Sequence, residues 1–273
     1  VLTHALHYAS SVFEGMRAYD GRIFKLSVHN QRLLDSAREL GFEVPYSVPE
    51  LDAACRETMR ANGLEDAYVR PIAWRGSEQM GVAAQHSRIH VAIATWAWGT
   101  YYSREALMEG IALQWSDWAR PDPRTAPAHS KAAGLYMICT MAKHKAEAAG
   151  FHDALMLDWR GRVAEATGAN IFLVIDGVLH TPEADCFLDG ITRRTVMALA
   201  REHGYDVVER AVWPEDLDRA QEVFLTGTAA EVTPVGRIGE RTYTPGTVCT
   251  TLMDAYSRAV RQPDVEAAPA DAA

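Results

Sequence analysis

Apolar side chains recur along this chain at two spacings, and the alternation between them predicts its elements. Residues 28–41 place Leu33, Leu34, Ala37 and Leu40 at helical intervals, whereas residues 67–74 and 89–98 are dense apolar runs of strand length. The turn pair Asp20-Gly21 ahead of an apolar run at 22–26 predicts a hairpin. Ser47 followed by Glu50 forms a capping box for a second helix, which Asn62-Gly63 stops after about residue 61. Another strand is expected at 111–115. Three prolines within residues 119–127 preclude a helix and predict an extended connection. Beyond it a helix is expected over 131–149 with Gly150 as its C-cap, then strands at 153–158, 163–166 and 170–176. A helix over 190–204, a strand at 206–212, a short acidic helix from Pro214, a strand at 222–226 and a last helix over 247–261 complete the pattern. The result is a two-domain α+β or α/β body. We place a small N-terminal domain at 1–117, a Pro-rich linker at 118–128, a larger domain at 129–262 and a disordered tail, rich in Ala, Pro and Asp, at 263–273. The chain opens at Val1 inside what reads as a folded element, so residues ahead of it are expected.

Composition narrows the partners. The 273 residues carry 27 basic and 36 acidic side chains, a formal net charge of −9, which disfavours nucleic acid and anionic membrane surfaces. No apolar run reaches membrane-helix length. The four cysteines are far apart with no CxxC pair, which fits a reducing cytoplasm better than a disulfide framework or a structural zinc site. His4 and His7, and His86 and His90, lack a third ligand nearby, so no metal site is expected.

Of the basic residues only four are lysines: Lys25, Lys131, Lys143 and Lys145. Lys131 follows the proline-rich segment where the two domains should meet, and clefts between domains concentrate small-molecule sites. At a helix N-terminus the local dipole and burial would lower its pKa and favour a nucleophilic amine. A solvated surface lysine fits that position equally well. The other three lysines read as surface charges. Asp189-Gly190-Ile191-Thr192 opens a helix with free N–H groups where an anion could sit, and Thr226–Glu231 is a second turn of small residues. Two amide-exposing turns and one imine-forming lysine suggest pyridoxal phosphate, although each turn alone is more often structural. Glu165, a charge amid small and apolar neighbours, suits either a pyridinium partner or an edge strand facing water.

Seven ordered motifs then make a specific pattern. They are His7-Tyr8 through Val12-Phe13-Glu14-Gly15-Met16-Arg17, Ala67-Tyr68-Val69-Arg70-Pro71, Met80-Gly81-Val82, Ser130-Lys131 through Tyr136, Ala164-Glu165 through Asn170, Gly190-Ile191-Thr192, and Thr226 through Glu231. With these the chain resembles the branched-chain amino acid aminotransferases, fold-type IV pyridoxal phosphate enzymes of two-domain α+β fold. The resemblance implies that Lys131 holds the cofactor and, once released by substrate, carries the catalytic proton. It implies that Glu165 faces the pyridine nitrogen and Tyr136 the ring hydroxyl, and that Arg32, Leu188, Ile191, Thr192 and Thr228 complete the cofactor site. It further implies a substrate pocket of Tyr8, Phe13, Tyr68, Arg70, Met80, Val82, Trp98 and Tyr101. There Arg70 and the phenols of Tyr8 and Tyr101 would meet a glutamate side chain, and the amides of Thr228 and Ala229 an α-carboxylate. The implied reaction is ping-pong transamination between Leu, Ile or Val and 2-oxoglutarate. D-amino acid aminotransferase, (R)-amine transaminase and aminodeoxychorismate lyase share the fold and stand as alternatives. A homodimer or larger homo-oligomer is implied, with Tyr8 crossing the interface. Ala169 and Asp189 depart from the residues common in the family at those places.

Overall fold

The computed structural model describes residues 1–262; the tail expected at 263–273 lies outside the described residues. Its first half is built on one sheet. Helix α1 (His4–Tyr8) leads into β1 (Ser11–Phe13), β2 (Met16–Tyr19) and β3 (Arg22–Ile23), followed by α2 (Leu26–Glu39), α3 (Val48–Ala61), β4 (Ala67–Arg75) and β5 (Ile89–Ala97). The long strand β4 is central. Strand β5 pairs antiparallel along its whole length, from Ala67↔Ala97 to Arg75↔Ile89. On its other side β1 and β2 follow one another, through Val12↔Ala73 and Arg17↔Tyr68. Helix α2 lays Leu33, Leu34 and Ala37 on this sheet, the face expected from their spacing. Helix α3 starts at the anticipated capping box of Ser47 and Glu50.

The second half follows as α4 (Arg104–Glu109), β6 (Ile111–Trp115), α5 (Tyr136–Ala148), β7 (Asp153–Leu157), β8 (Val163–Ala166), β9 (Asn170–Ile175) and β10 (Val178–Pro182). It continues through α6 (Ile191–Glu202), β11 (Val207–Arg210), β12 (Glu222–Gly227), β13 (Glu231–Ile238), β14 (Arg241–Thr242) and α7 (Thr247–Ala259). A nine-stranded sheet runs β11-β10-β9-β12-β13-β6-β7-β8, with β14 paired to β13 off this path, and β8 also bridges β9 through Glu165↔Asn170. Strands β9, β12, β13, β6, β7 and β8 therefore close into a ring. Successive residues of a strand face opposite ways. Ile171, Leu173 and Ile175 of β9 fill the ring's interior with Ile111, Leu113, Leu155 and Leu225. Phe172 and Val174 face outward against Val196 of α6 and Leu252 of α7, with Phe172 stacked 5.2 Å from Phe224.

The division expected at residue 117 moves. Strand β6 pairs in parallel with β13 and β7, so it belongs to the large sheet rather than to a domain over 1–117. The passage between sheets lies after β5. The proline-rich segment is correspondingly no free linker: Arg120 is buried, and its N–H donates to Leu157 O at 2.8 Å. The helix expected from residue 131 begins only at Tyr136, after a single 3-10 turn. Backbone pairing with the small sheet displaces its first turn. Ala132 bridges Val12, and Phe13 N donates to Lys131 O at 3.2 Å.

Candidate active site

Lys131 thus sits on an extended segment clamped between the sheets. Its N–H donates to Ser36 Oγ at 3.0 Å, and Ser130 Oγ donates to Ser36 O at 3.0 Å. Ser36 and Arg32 lie four residues apart on α2, hence on one helix face, and that face meets the lysine. Lys131 Nζ donates to Tyr136 Oη at 2.9 Å. Burial alone would press this ammonium toward neutrality. Tyr136 and Glu14 outweigh it, so the pKa lies above the ordinary lysine value, the reverse of the lowering expected for a helix N-terminus.

One cavity collects Lys131 with Arg32, Tyr136, Glu165, Leu188, Ile191, Thr192 and Thr228, every residue expected to hold the cofactor. At one end Glu165 is buried on β8. Burial pushes its carboxyl up to about 7, against the opposing pull of Arg120 and Lys131. Arg120 Nε lies 3.3 Å from Glu165 Oε1, and Asn170 Nδ2 donates to Oε2 at 3.2 Å. At the other end α6 starts at Gly190 with no side-chain cap, leaving the N–H groups of its first turn for an anion. Gly190 is required there, because a Cβ would collide with Asn170 Oδ1.

Arg32 faces the same end. Its Nε and Nη2 donate to Glu14 at 2.6 and 2.9 Å, and Nη1 lies 3.5 Å from Asp189 O. Glu14 is fully buried, and His29 Nδ1 lies 2.6 Å from it. Burial would raise the Glu14 carboxyl, but Arg32 and His29 outweigh that and hold it well below the carboxylate range. Burial lowers the His29 pKa despite Glu14, which favours a neutral ring. The cavity wall also holds two buried polar atoms with no hydrogen-bond partner, Thr226 Oγ1 and Arg120 Nε, the latter only ion-paired to Glu165. An acid at one end, an amine midway and a cationic, amide-rich cradle with an unsatisfied hydroxyl at the other fit a phosphorylated pyridine aldehyde.

Five of the substrate candidates, Phe13, Arg70, Tyr68, Trp98 and Tyr101, form a chain of contacts from the lysine outward. Lys131 Nζ is 5.2 Å from the Phe13 ring, Arg70 Cζ is 4.8 Å from Phe13 and 5.1 Å from Tyr68, and Arg70 Nη2 donates to Tyr68 Oη at 3.1 Å. Tyr68 packs 4.9 Å from Trp98, which stacks 6.1 Å from Tyr101. Tyr68 closes over Gly15, where any Cβ would strike its hydroxyl. Trp98, Tyr101 and Ala229 line a second cavity beside the first. Tyr8, Met80 and Val82 stand apart: Tyr8 Oη donates to Met80 O at 3.2 Å and all three are exposed; like Phe13, Tyr68 and Arg70, they line neither cavity.

Sequence reasoning gave no role to Glu14, Arg120, Asn170, Thr226 or Trp96. Arg120 was hidden in a segment read as linker, although an arginine between Trp118-Ala119 and Pro121 hints at a buried counter-ion. Trp96 stacks 5.0 Å from Tyr68 and 5.8 Å from Arg70. Lys143, expected to be a surface charge, is largely covered and lies 3.6 Å from Asp153.

An amine-bearing cleft between a small sheet and a closed ring of strands, with an anion cradle at a helix N-terminus, defines a class of aldehyde-cofactor enzyme. Residues 11–238 match the class IV amino-transferase family, and the chain belongs to it. It is 44% identical over 245 residues to the branched-chain-amino-acid aminotransferase of Pseudomonas aeruginosa, covering 88% of this chain and 80% of that one. The T.th. branched-chain amino acid aminotransferase with pyridoxamine 5'-phosphate superposes with a TM-score of 0.92 at 42% identity, covering 96% of this chain and 90% of that one. The same enzyme complexed with N-(5'-phosphopyridoxyl)-L-glutamate gives a TM-score of 0.91 at 41% identity, covering 96% and 89%.

Proposed function

We propose that the protein is a pyridoxal phosphate-dependent transaminase acting between branched-chain L-amino acids and 2-oxoglutarate. The observation that carries this reading is the single cavity in which Lys131, Glu165 and the α6 N-terminus meet. The relatives' named activity, and the phosphopyridoxyl glutamate bound by one of them, supply the substrates. Arg32, the amides of Ile191 and Thr192, and Thr228 would bind the phosphate; a guanidinium suits that task because its donors form a planar fork. Tyr136 would hydrogen-bond the ring hydroxyl, and Glu165, with Asn170 and Arg120 around it, would hold a proton at the ring nitrogen. When bound, the cofactor supplies a carbonyl for the amino group and a sink for the electrons left at Cα. Lys131 Nζ would take the proton from substrate Cα and deliver it to the carbon that was the cofactor's carbonyl, with Tyr136 orienting the amine. Phe13, Tyr68, Trp98 and Tyr101 offer apolar faces to a branched side chain, and Arg70 a charge for the distal carboxylate of glutamate. The amides of Thr228 and Ala229 would receive the α-carboxylate.

The exposed group of Tyr8, Met80 and Val82 supports an assembly of at least two copies, each lending these side chains to its neighbour's pocket. We place the protein in the cytoplasm, a reading supported by four buried, unpaired cysteines.

Borohydride treatment of the yellow holoenzyme should fix the cofactor to Lys131, located by peptide mass spectrometry, and Lys131→Ala should abolish turnover. A colourless protein without adduct would refute the proposal. L-Leu should outperform D-Ala and (R)-1-phenylethylamine as donor to 2-oxoglutarate; preference for either of the latter would move the protein to another activity of the same fold.

A further inference from the structure

The turn between β12 and β13 carries Thr228 and Ala229; its own ladder closes it at Gly227↔Glu231, and it is also gripped from outside. Glu231, the first residue of β13, adopts a left-handed backbone with φ of 52°, an unusual state for a residue with a side chain. Tyr19 of β2, almost fully buried, donates its hydroxyl to Glu231 Oε1 at 2.6 Å across 212 residues of sequence. Arg17, two residues earlier on the same strand, places Nη1 3.5 Å from the same oxygen. Tyr256 of α7, also buried, packs in the same cluster as Tyr19. Two side chains of the small sheet therefore end on the left-handed residue of the turn. Thr233 Oγ1 donates to Ala230 O at 2.6 Å and closes the turn from within.

We propose that Tyr19 and Arg17 are positioning residues for the substrate's α-carboxylate, acting through Glu231 to hold the backbone of Thr228 and Ala229 in its binding geometry. The inference rests on the reading of that turn given above. The cross-sheet grip ties the turn's shape to the seating of the small sheet.

The test uses holoenzyme and 4-methylpentanoate, which keeps a carboxylate and a branched chain but lacks the reacting amine. Binding is read from the cofactor's absorbance, beside KM and kcat for L-Leu. Tyr19→Phe should weaken 4-methylpentanoate binding and raise KM about tenfold, the loss of one charge-assisted hydrogen bond, with cofactor affinity unchanged and kcat within about threefold. Glu231→Gln keeps an oxygen that accepts from Tyr19 and should stay within about threefold of wild type. Glu231→Gly is the deciding variant. Glycine relaxes the left-handed backbone, so thermal stability should hold while carboxylate binding falls as in Tyr19→Phe. Unchanged binding in both Tyr19→Phe and Glu231→Gly, or a fall only in proportion to lost stability, would overturn the proposal. A wild-type protein with no transaminase activity would instead overturn the reading of the site.

Discussion

Glu165 shows how a single residue's environment becomes measurable behaviour. Its carboxyl is buried on β8, and its pKa rises to about 7 even with Arg120 3.3 Å away. Desolvation therefore exceeds the gain from the ion pair, the usual balance for a buried pair of this geometry. In the cofactor-free protein this raised pKa contributes stability that is full below the unfolded value near 4.5 and lost as pH climbs through 7. Thermal melts of cofactor-free wild type and Glu165→Gln at pH 5 and pH 8 should separate the effect. Wild type should lose up to roughly 3 kcal/mol more than the variant over that interval, from 1.36 kcal/mol per pH unit. Equal losses would mean that Glu165 is already ionised at pH 5. A protonated ring nitrogen facing this group would reverse the preference, so cofactor binding should draw the Glu165 pKa down. The possibility of a buried role was visible in the sequence, since Glu165 stands among Val163, Ala164 and Ala166. Its partner was not, because Arg120 reaches it from 45 positions away along a segment whose prolines said only "extended".

Elements were legible where local chemistry decides them and illegible where pairing across the molecule does. Helix α3 has its own cap, Ser47 with Glu50, and helix α6 its own apolar face, so both lie where the pattern put them. The segment 131–135 has helical spacing, but Lys131 and Ala132 give their backbone to β1 and only a 3-10 turn follows, and nothing in those residues announces the partner. The two helix starts make a paired experiment. Ser47→Ala removes an exposed cap and should cost about 1 kcal/mol, seen as a drop of roughly 2–4 °C in melting temperature, with cofactor affinity unaltered. Gly190→Ala sets a methyl against Asn170, which also binds Glu165 and Leu188 O, and so disturbs both ends of the cavity at once. Cofactor affinity should fall at least about tenfold, beyond any change in melting temperature. If equilibrium titration shows the two variants alike, the N-terminus of α6 is not the anion cradle.

At the scale of the whole molecule the cofactor cavity is an asymmetric joint. The ring-of-strands half and its approaching segment supply nearly all of the lining, and Arg32 is the contribution of the small-sheet half. Lys131, alone among the four lysines, pointed to the joint, but the division near residue 117 misjudged what it joins, since β6 belongs to the ring. Strand pairing over 100 residues apart, as between β6 and β13, leaves no local signature. Removing Arg32 alone confuses two effects, because it leaves Glu14 buried with His29 as its remaining close partner. Arg32→Met should therefore cost about 3–5 kcal/mol of stability, the usual result of breaking a buried pair from one side. Adding Glu14→Gln removes the stranded charge while keeping a group that can hydrogen-bond His29, so Glu14→Gln/Arg32→Met should recover most of that loss. Cofactor affinity should not recover: the double variant should still bind about 10- to 100-fold more weakly than wild type, one or two charge-assisted hydrogen bonds to phosphate. The stabilisation that saturating cofactor gives wild type, about 2.7 kcal/mol at a hundred times its dissociation constant, should shrink in step at the same concentration. Melting curves with and without cofactor check both parts. A double variant that is stable and binds cofactor like wild type would show that the small-sheet half merely covers the cavity and takes no share in holding what fills it.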